Sequence, residues 1–151
     1  MNMKAICITY TDERSIHNDA MHDLRLGAEH GILACSATRL NKAQAGDLVI
    51  LKANYSFLIG RLITPAPEKR NTWLDQGGEP WRHCWTYTPL THILSIDTNI
   101  EKEVKELCFI FGIPKSKSGE SDTNIFSARS CPNNAFPVLE ELAKRHPIAK
   151  T

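Results

Sequence analysis

Residues 45–65, AGDLVILKANYSFLIGRLITP, constrain the fold more than any other stretch of this chain. A Gly-Asp turn leads into the β-rich run LVILKA, and a second run, SFLIGRLI, follows a tight turn at Ala53-Asn54. Two runs rich in β-branched and aromatic residues, joined by so short a connection, predict an antiparallel hairpin. Gly60 lies inside the second run. A glycine there predicts a bulge or a close approach of another part of the backbone.

The remaining elements are read outward from that hairpin. MKAICITY, residues 3–10, alternates loosely and predicts a first strand. The polar turn TDERS breaks it, and Ser15 is a good N-cap for a helix from Ile16 to Leu26. Ile16, Ala20 and Leu24 share one face of that helix, and Gly27 would follow its end. HGILACS reads as a short buried strand, ended by the polar ATRLNKA. After the hairpin, APEKRNTWLDQGGEP predicts a loop of about fifteen residues, a length that in compact domains goes with function or disorder. WRHCWTYTPLTHILSI returns to β character, with Trp81, Cys84 or Trp85, and Tyr87 alternating. NIEKEVKELCFIFGI places Ile100, Val104, Leu107 and Cys108 at helical spacing. PKSKSGESDTN is a polar loop, IFSARS a last short strand, and NAFPVLEELAKRH a closing helix with Pro137 in its first turn. The order β-α-β-β-β-β-α-β-α, with hairpin-linked strands, predicts a single α+β domain over residues 1–151. Its sheet would be curved or barrel-like, mostly antiparallel and flanked by two to three helices.

Composition removes several classes of function. A chain of 151 residues buries roughly two-thirds of its unfolded surface. A hydrophobic content of 42% with 23% charged residues argues against wholesale disorder. No apolar run approaches the ~20 residues of a membrane helix. The start, MNMKAICITY, lacks a signal-peptide layout, so a cytoplasmic location is expected. The five cysteines are odd in number and form no CxxC pair, which favours buried thiols over a disulfide frame or a zinc site. His17 and His22 would lie about 140° apart on a helix and could not clasp one metal. No P-loop, GxGxxG or HExxH occurs. The expectation is therefore no metal, no cofactor and no catalytic residue.

A net charge of +1 excludes a strongly basic nucleic-acid glue, but the charge is unevenly spread. Residues 1–31 set three cations against five carboxylates, whereas residues 39–70 set six cations against two. The second stretch holds Arg39, Lys69 and Arg70, which read either as an ordinary solvated face or as salt-dependent phosphate contacts. All three tryptophans, Trp73, Trp81 and Trp85, fall within NTWLDQGGEPWRHCW, residues 71–85. A core needs its tryptophans scattered over several elements, while a pocket for a flat ligand needs them together. Trp85, in a strand-like run with Cys84 and Tyr87, reads as core. Trp73 lies in the polar part of the loop and reads as a ligand contact. Trp81, after a proline at a strand start, fits either role.

The order of these motifs resembles the PUA-like superfamily, in particular its YTH and EVE domains. ITYTDERSIHNDAM is similar to the opening strand, polar turn and "IH"-type helix start of YTH domains. GILACS stands where those domains have a short strand, YSFLIGRLI where they have a hairpin arm with an aromatic and a glycine, and NTWLDQGG where they have a tryptophan-bearing loop. WRHCWTYTPLTHI resembles their strand with a core tryptophan, FSARS is a loose counterpart of their "SRD"-like strand, and GDLVIL is what EVE domains show at the hairpin. The likeness spans about residues 5–130, through short motifs whose order carries the weight.

What the resemblance implies is recognition of a chemically modified base, methylated adenine or modified cytosine, flipped from DNA or RNA into an aromatic pocket. It implies a base-edge set of Thr9, Tyr10, Thr11 and Ser15, with Ser36 as a further short hydroxyl. Backbone around Leu33, Ala34 and Cys35 would meet the modified exocyclic group, Trp73 would wall the cage, and Arg129 would contact phosphate. The chain departs from YTH domains at Leu33-Ala34, where they carry a cage tryptophan. Either Trp81 supplies that wall or the pocket takes another base, as in EVE-like domains of modification-dependent restriction systems. The implied partners are a nucleic acid and an effector such as a nuclease or NTPase subunit. The alternative is a small hydrolase or ribonuclease like some ASCH relatives of the superfamily.

Overall fold

The computed structural model describes residues 3–15, 18–35, 38–65, 83–113, 125–126 and 135–148. The predicted hairpin is its centre. Strand β3 (Leu48–Ala53) runs antiparallel to β4 (Ser56–Pro65), from Leu48 opposite Arg61 to Ala53 opposite Ser56. Asn54 turns the chain with φ +57°, a left-handed conformation that asparagine tolerates. β1 (Ala5–Tyr10) lies parallel to β3, which requires a crossover between them. That crossover contains helix α1 (Ala20–His30) and strand β2 (Ile32–Cys35). β5 (His83–Pro89) pairs with β4 on its other edge, β2 pairs with β5, and the two-residue β6 (Leu94–Ser95) continues along β4 at Ser56 and Phe57. The order across the sheet is β1-β3-β4-β5-β2.

β4 would be left with open backbone groups between β5 and β6. Leu90 donates its N–H to Ile59 O at 2.8 Å, and the Ile59 N–H reaches the hydroxyl of buried Thr91 at 3.1 Å. The Thr91 hydroxyl in turn donates to His92 O at 2.8 Å. At the other end of β3, the carboxylate of fully buried Asp47 accepts the N–H of Lys4 at 3.2 Å and of Gln44 at 2.9 Å. Its carbonyl accepts the Leu62 N–H at 2.9 Å, so one residue ties the start of β1, the turn and β4 together.

Both faces of the sheet are covered. Ile6, Ile8, Val49, Leu51, Leu58, Leu62 and Trp85 pack beneath Ala20 and Leu24 of α1. Ala5, Cys7, Leu48, Ile50, Phe57 and Ile59 pack beneath α2 (Thr98–Ile110) and α3 (Phe136–Arg145). Two-sided burial explains why AICI and LVIL are near-continuous apolar runs and do not alternate strictly. It also corrects the expected barrel. Among the described strands no ladder joins β1 to β2, because helices cover the apolar faces that closure would otherwise bury. The coarse class, an α+β domain with a mostly antiparallel sheet, holds.

Helix α1 begins later than Ser15 would place it. Asp19 is the N-cap, accepting the His22 N–H at 3.1 Å, and Asp12 accepts the Ala20 N–H at 2.8 Å. Gly31, at φ +67°, ends the helix in place of Gly27. Gly27 sits inside the helix because a Cβ there would lie 2.7 Å from Ile32 O. Gly60 marks a close approach, its missing Cβ replaced by the Tyr87 ring, and the irregular register falls at Leu62/Thr64. In α2 the Asp97 carboxylate accepts the Ile100 N–H, and Ile100, Val104, Leu107 and Cys108 are buried as their spacing predicts. Pro137 lies in the first turn of α3. Ile125 and Phe126 form a 3-10 turn, not the start of a strand. Phe126 stacks tilted on Phe57 with ring centroids 4.8 Å apart, a packing that a strand in the sheet plane would not offer.

Gly27→Ala tests the helix–strand contact. Alanine normally stabilises a helix interior by about 1 kcal/mol. Here the clash with a backbone carbonyl reverses the sign, and urea unfolding is expected to show a loss of about 1–3 kcal/mol.

Candidate functional site

The turn that follows β1 is built from polar and charged side chains. Thr9 and Thr11 are exposed, and Thr11 O accepts the Arg14 N–H at 3.2 Å to close a 3-10 turn over Asp12–Arg14. Ser15 ends that turn and donates its hydroxyl to Asp19 O at 3.2 Å. It is therefore no helix N-cap. The carboxylates of Asp12 and Asp19 accept from amide groups at the start of α1, and Glu13 and Arg14 are exposed beside the hydroxyls of Thr9 and Thr11.

The strand pleat separates two members of the expected base-edge set. Thr9 shares the face of Ala5 and Cys7, whereas Tyr10 shares the face of Ile6 and Ile8 and is buried in the cluster under α1. One pocket cannot take both side chains. Tyr10 does share its cluster with Leu33 and Trp85, so α1 brings the two outer strands into one apolar unit. The helix is about 16 Å long. It crosses from Asp12 at the β1 side to Gly31, whose carbonyl accepts the Tyr87 N–H at 2.8 Å.

At the other end of the sheet Leu33 pairs with Trp85, Ala34 with Cys84 and Cys35 with His83. β2 is an outer strand, so alternate backbone groups along Ile32–Cys35 point away from β5. That arrangement suits the expected role of the Leu33–Cys35 backbone. Residues 66–82, which carry Trp73 and Trp81, join β4 to β5, and Pro65 pairs with Trp85 where they leave and return. Leu33 and Pro65 thus pair with Trp85 from opposite edges of β5, and in the sequence Trp81 stands two residues before His83, the partner of Cys35. Ser36, Lys69, Arg70, Trp73, Trp81 and Arg129 lie outside the described residues, as do the side chains of Ala34, Cys35 and Arg39. Trp85 is a core residue, 7% exposed, as its strand context predicts.

Tyr87 went unremarked in the sequence beyond its alternation. Its ring lies against Gly60, its hydroxyl points towards Gly27, and that buried hydroxyl has no hydrogen-bond partner among the described residues. Burial pushes its ionisation well above the ordinary tyrosine range, so it stays a neutral phenol. The two glycines were the available signal, since each leaves room that a large neighbour must fill.

Among the described residues no three His, Cys, Asp or Glu side chains converge as metal ligands would. Cys7 and Cys108 are buried thiols. No described helix is long and apolar enough to cross a membrane. No protein-family model matches the chain, and no curated protein is significantly similar to it.

Tyr87→Phe removes a buried hydroxyl that has no hydrogen-bond partner among the described residues. Chemical denaturation is expected to show unchanged or increased stability, by up to about 1 kcal/mol. A clear loss would mean that the hydroxyl is satisfied.

Proposed function

We propose that this chain is a nucleic-acid-binding module of the PUA-like kind that recognises a modified base by flipping it into an aromatic pocket. The pocket would lie beside the outer strand β2, with Trp73 as a wall. The observation that carries the reading is the β2–β5 register, which ties the base of the tryptophan-bearing connection to the free edge of Leu33–Cys35. An extruded base loses stacking worth a few kcal/mol. An aromatic wall returns about 1–3 kcal/mol per base, so two tryptophan faces roughly offset the extrusion. A methyl group adds only about 1 kcal/mol through burial, so selectivity must come from shape and from hydrogen bonds to the base edge. The outward backbone groups of β2 and the exposed hydroxyls of Thr9 and Thr11 are neutral, as that task requires. Such a module would act inside the cell as the specificity partner of a nuclease or another effector and would not itself cleave.

Titration of tryptophan fluorescence with oligonucleotides carrying N6-methyladenine, 5-methylcytosine or 5-hydroxymethylcytosine tests this reading. Trp85 is buried, so quenching reports on Trp73 and Trp81. Selective quenching by one modification is expected, and an equal response to all, or none, would refute the proposal. Trp73→Ala is expected to weaken binding by about 1–3 kcal/mol with the melting temperature unchanged. Metal-dependent cleavage of an oligonucleotide, lost in a single His or Asp variant, would favour a hydrolase instead.

A further inference from the structure

On the face covered by α1, at the Pro89 end of β5, the chain leaves an open cleft. Its volume is about 380 Å³, within the roughly 300–1,000 Å³ typical of small-molecule sites. Leu58, Pro89 and Ile93 give it an apolar floor, and Ala28 keeps the helix wall low. Arg25 and Glu29, one turn apart on α1, both line it. Their i,i+4 spacing would allow an ion pair. None forms, and neither side chain has an ionic partner among the described residues. The helix wall of the cleft thus offers a guanidinium and a carboxylate, neither with a partner among the described residues, facing an apolar surface.

We propose that this cleft is a nucleotide site, separate from the modified-base pocket. A planar guanidinium binds a phosphate through two parallel hydrogen bonds. A carboxylate accepts from sugar hydroxyls or from an exocyclic amine. The base lies on Pro89 and Ile93. One nucleoside 5′-monophosphate has these three parts in that order, and the same chemistry is met by a free nucleotide or by one unit of a strand. Among the described residues no tryptophan lines the cleft, and its chemistry is argued without Trp73.

The test is a titration of the isotope-labelled protein with adenosine 5′-monophosphate and with adenosine, followed through backbone amide shifts. Shifts are expected at Arg25, Ala28, Glu29 and Ile93, with the nucleotide binding about tenfold more tightly than the nucleoside. Arg25→Ala should remove that difference, Glu29→Gln should weaken both ligands alike, and Trp73→Ala should change neither. Competition by an unmodified single-stranded oligonucleotide assigns the site to a strand, and its absence assigns the site to free nucleotides. No shift of these amides at millimolar nucleotide, or equal affinity for nucleotide and nucleoside, would overturn the proposal.

Discussion

The β3–β4 hairpin is buried on both faces, and every other element is placed by the need to cover it. Val49 and Leu51 point to α1, while Leu48 and Ile50 point to α2 and α3. A hairpin exposed on one side would have needed only one helical layer. Because β4 is ten residues long, it holds β3 along one edge and both β5 and β6 along the other. Two buried polar side chains in this centre close a ladder. Asp47 and Thr91, both essentially inaccessible, each satisfy backbone groups that neighbouring strands leave unpaired.

A centre so thoroughly buried leaves chemistry to the periphery. The outer strands β1 and β2 carry the exposed hydroxyls and the free backbone edge, and α1 links them through Tyr10 and Leu33. The long connection between β4 and β5 is closed at its base by the Pro65–Trp85 pair, so tryptophans can sit on a segment whose ends are held by the sheet. The cleft beside Arg25 arises where α1 stands off from the β5–β6 connection. Each of these places can change its side chains without disturbing the hairpin, which is how a stable scaffold accommodates binding sites.

Much of the architecture was legible because the signals were local. The hairpin, the buried face of α2 and the proline in the first turn of α3 follow from spacing within a few residues. The misread features share a different origin. Ser15 looked like an N-cap, but two aspartates on either side of it, Asp12 and Asp19, take the helix start, and the left-handed turn at Asn18 moves it to Ala20. Gly27 looked like a helix end, yet its role is to let Ile32 approach the helix. IFSARS looked like a strand, but Ile125 and Phe126, its two described residues, form a 3-10 turn with Phe126 against Phe57. The candidate site was legible in part. Thr9 and Tyr10 are neighbours in the chain and opposed in space, a consequence of the pleat that reading them as a polar cluster overlooked.

The sequence by itself determined the elements, because apolar periodicity and turn residues act over one or two helical turns or a single hairpin. It also determined that Trp85 is core and that the tryptophans cluster. Only the tertiary structure decided that the sheet stays open between two helical layers, that β2 forms an outer edge beside β5, and that Arg25 and Glu29 line one wall of a cleft. Those outcomes depend on which distant surfaces meet, and the free energy of burying one face against another is shared among residues that no local pattern connects.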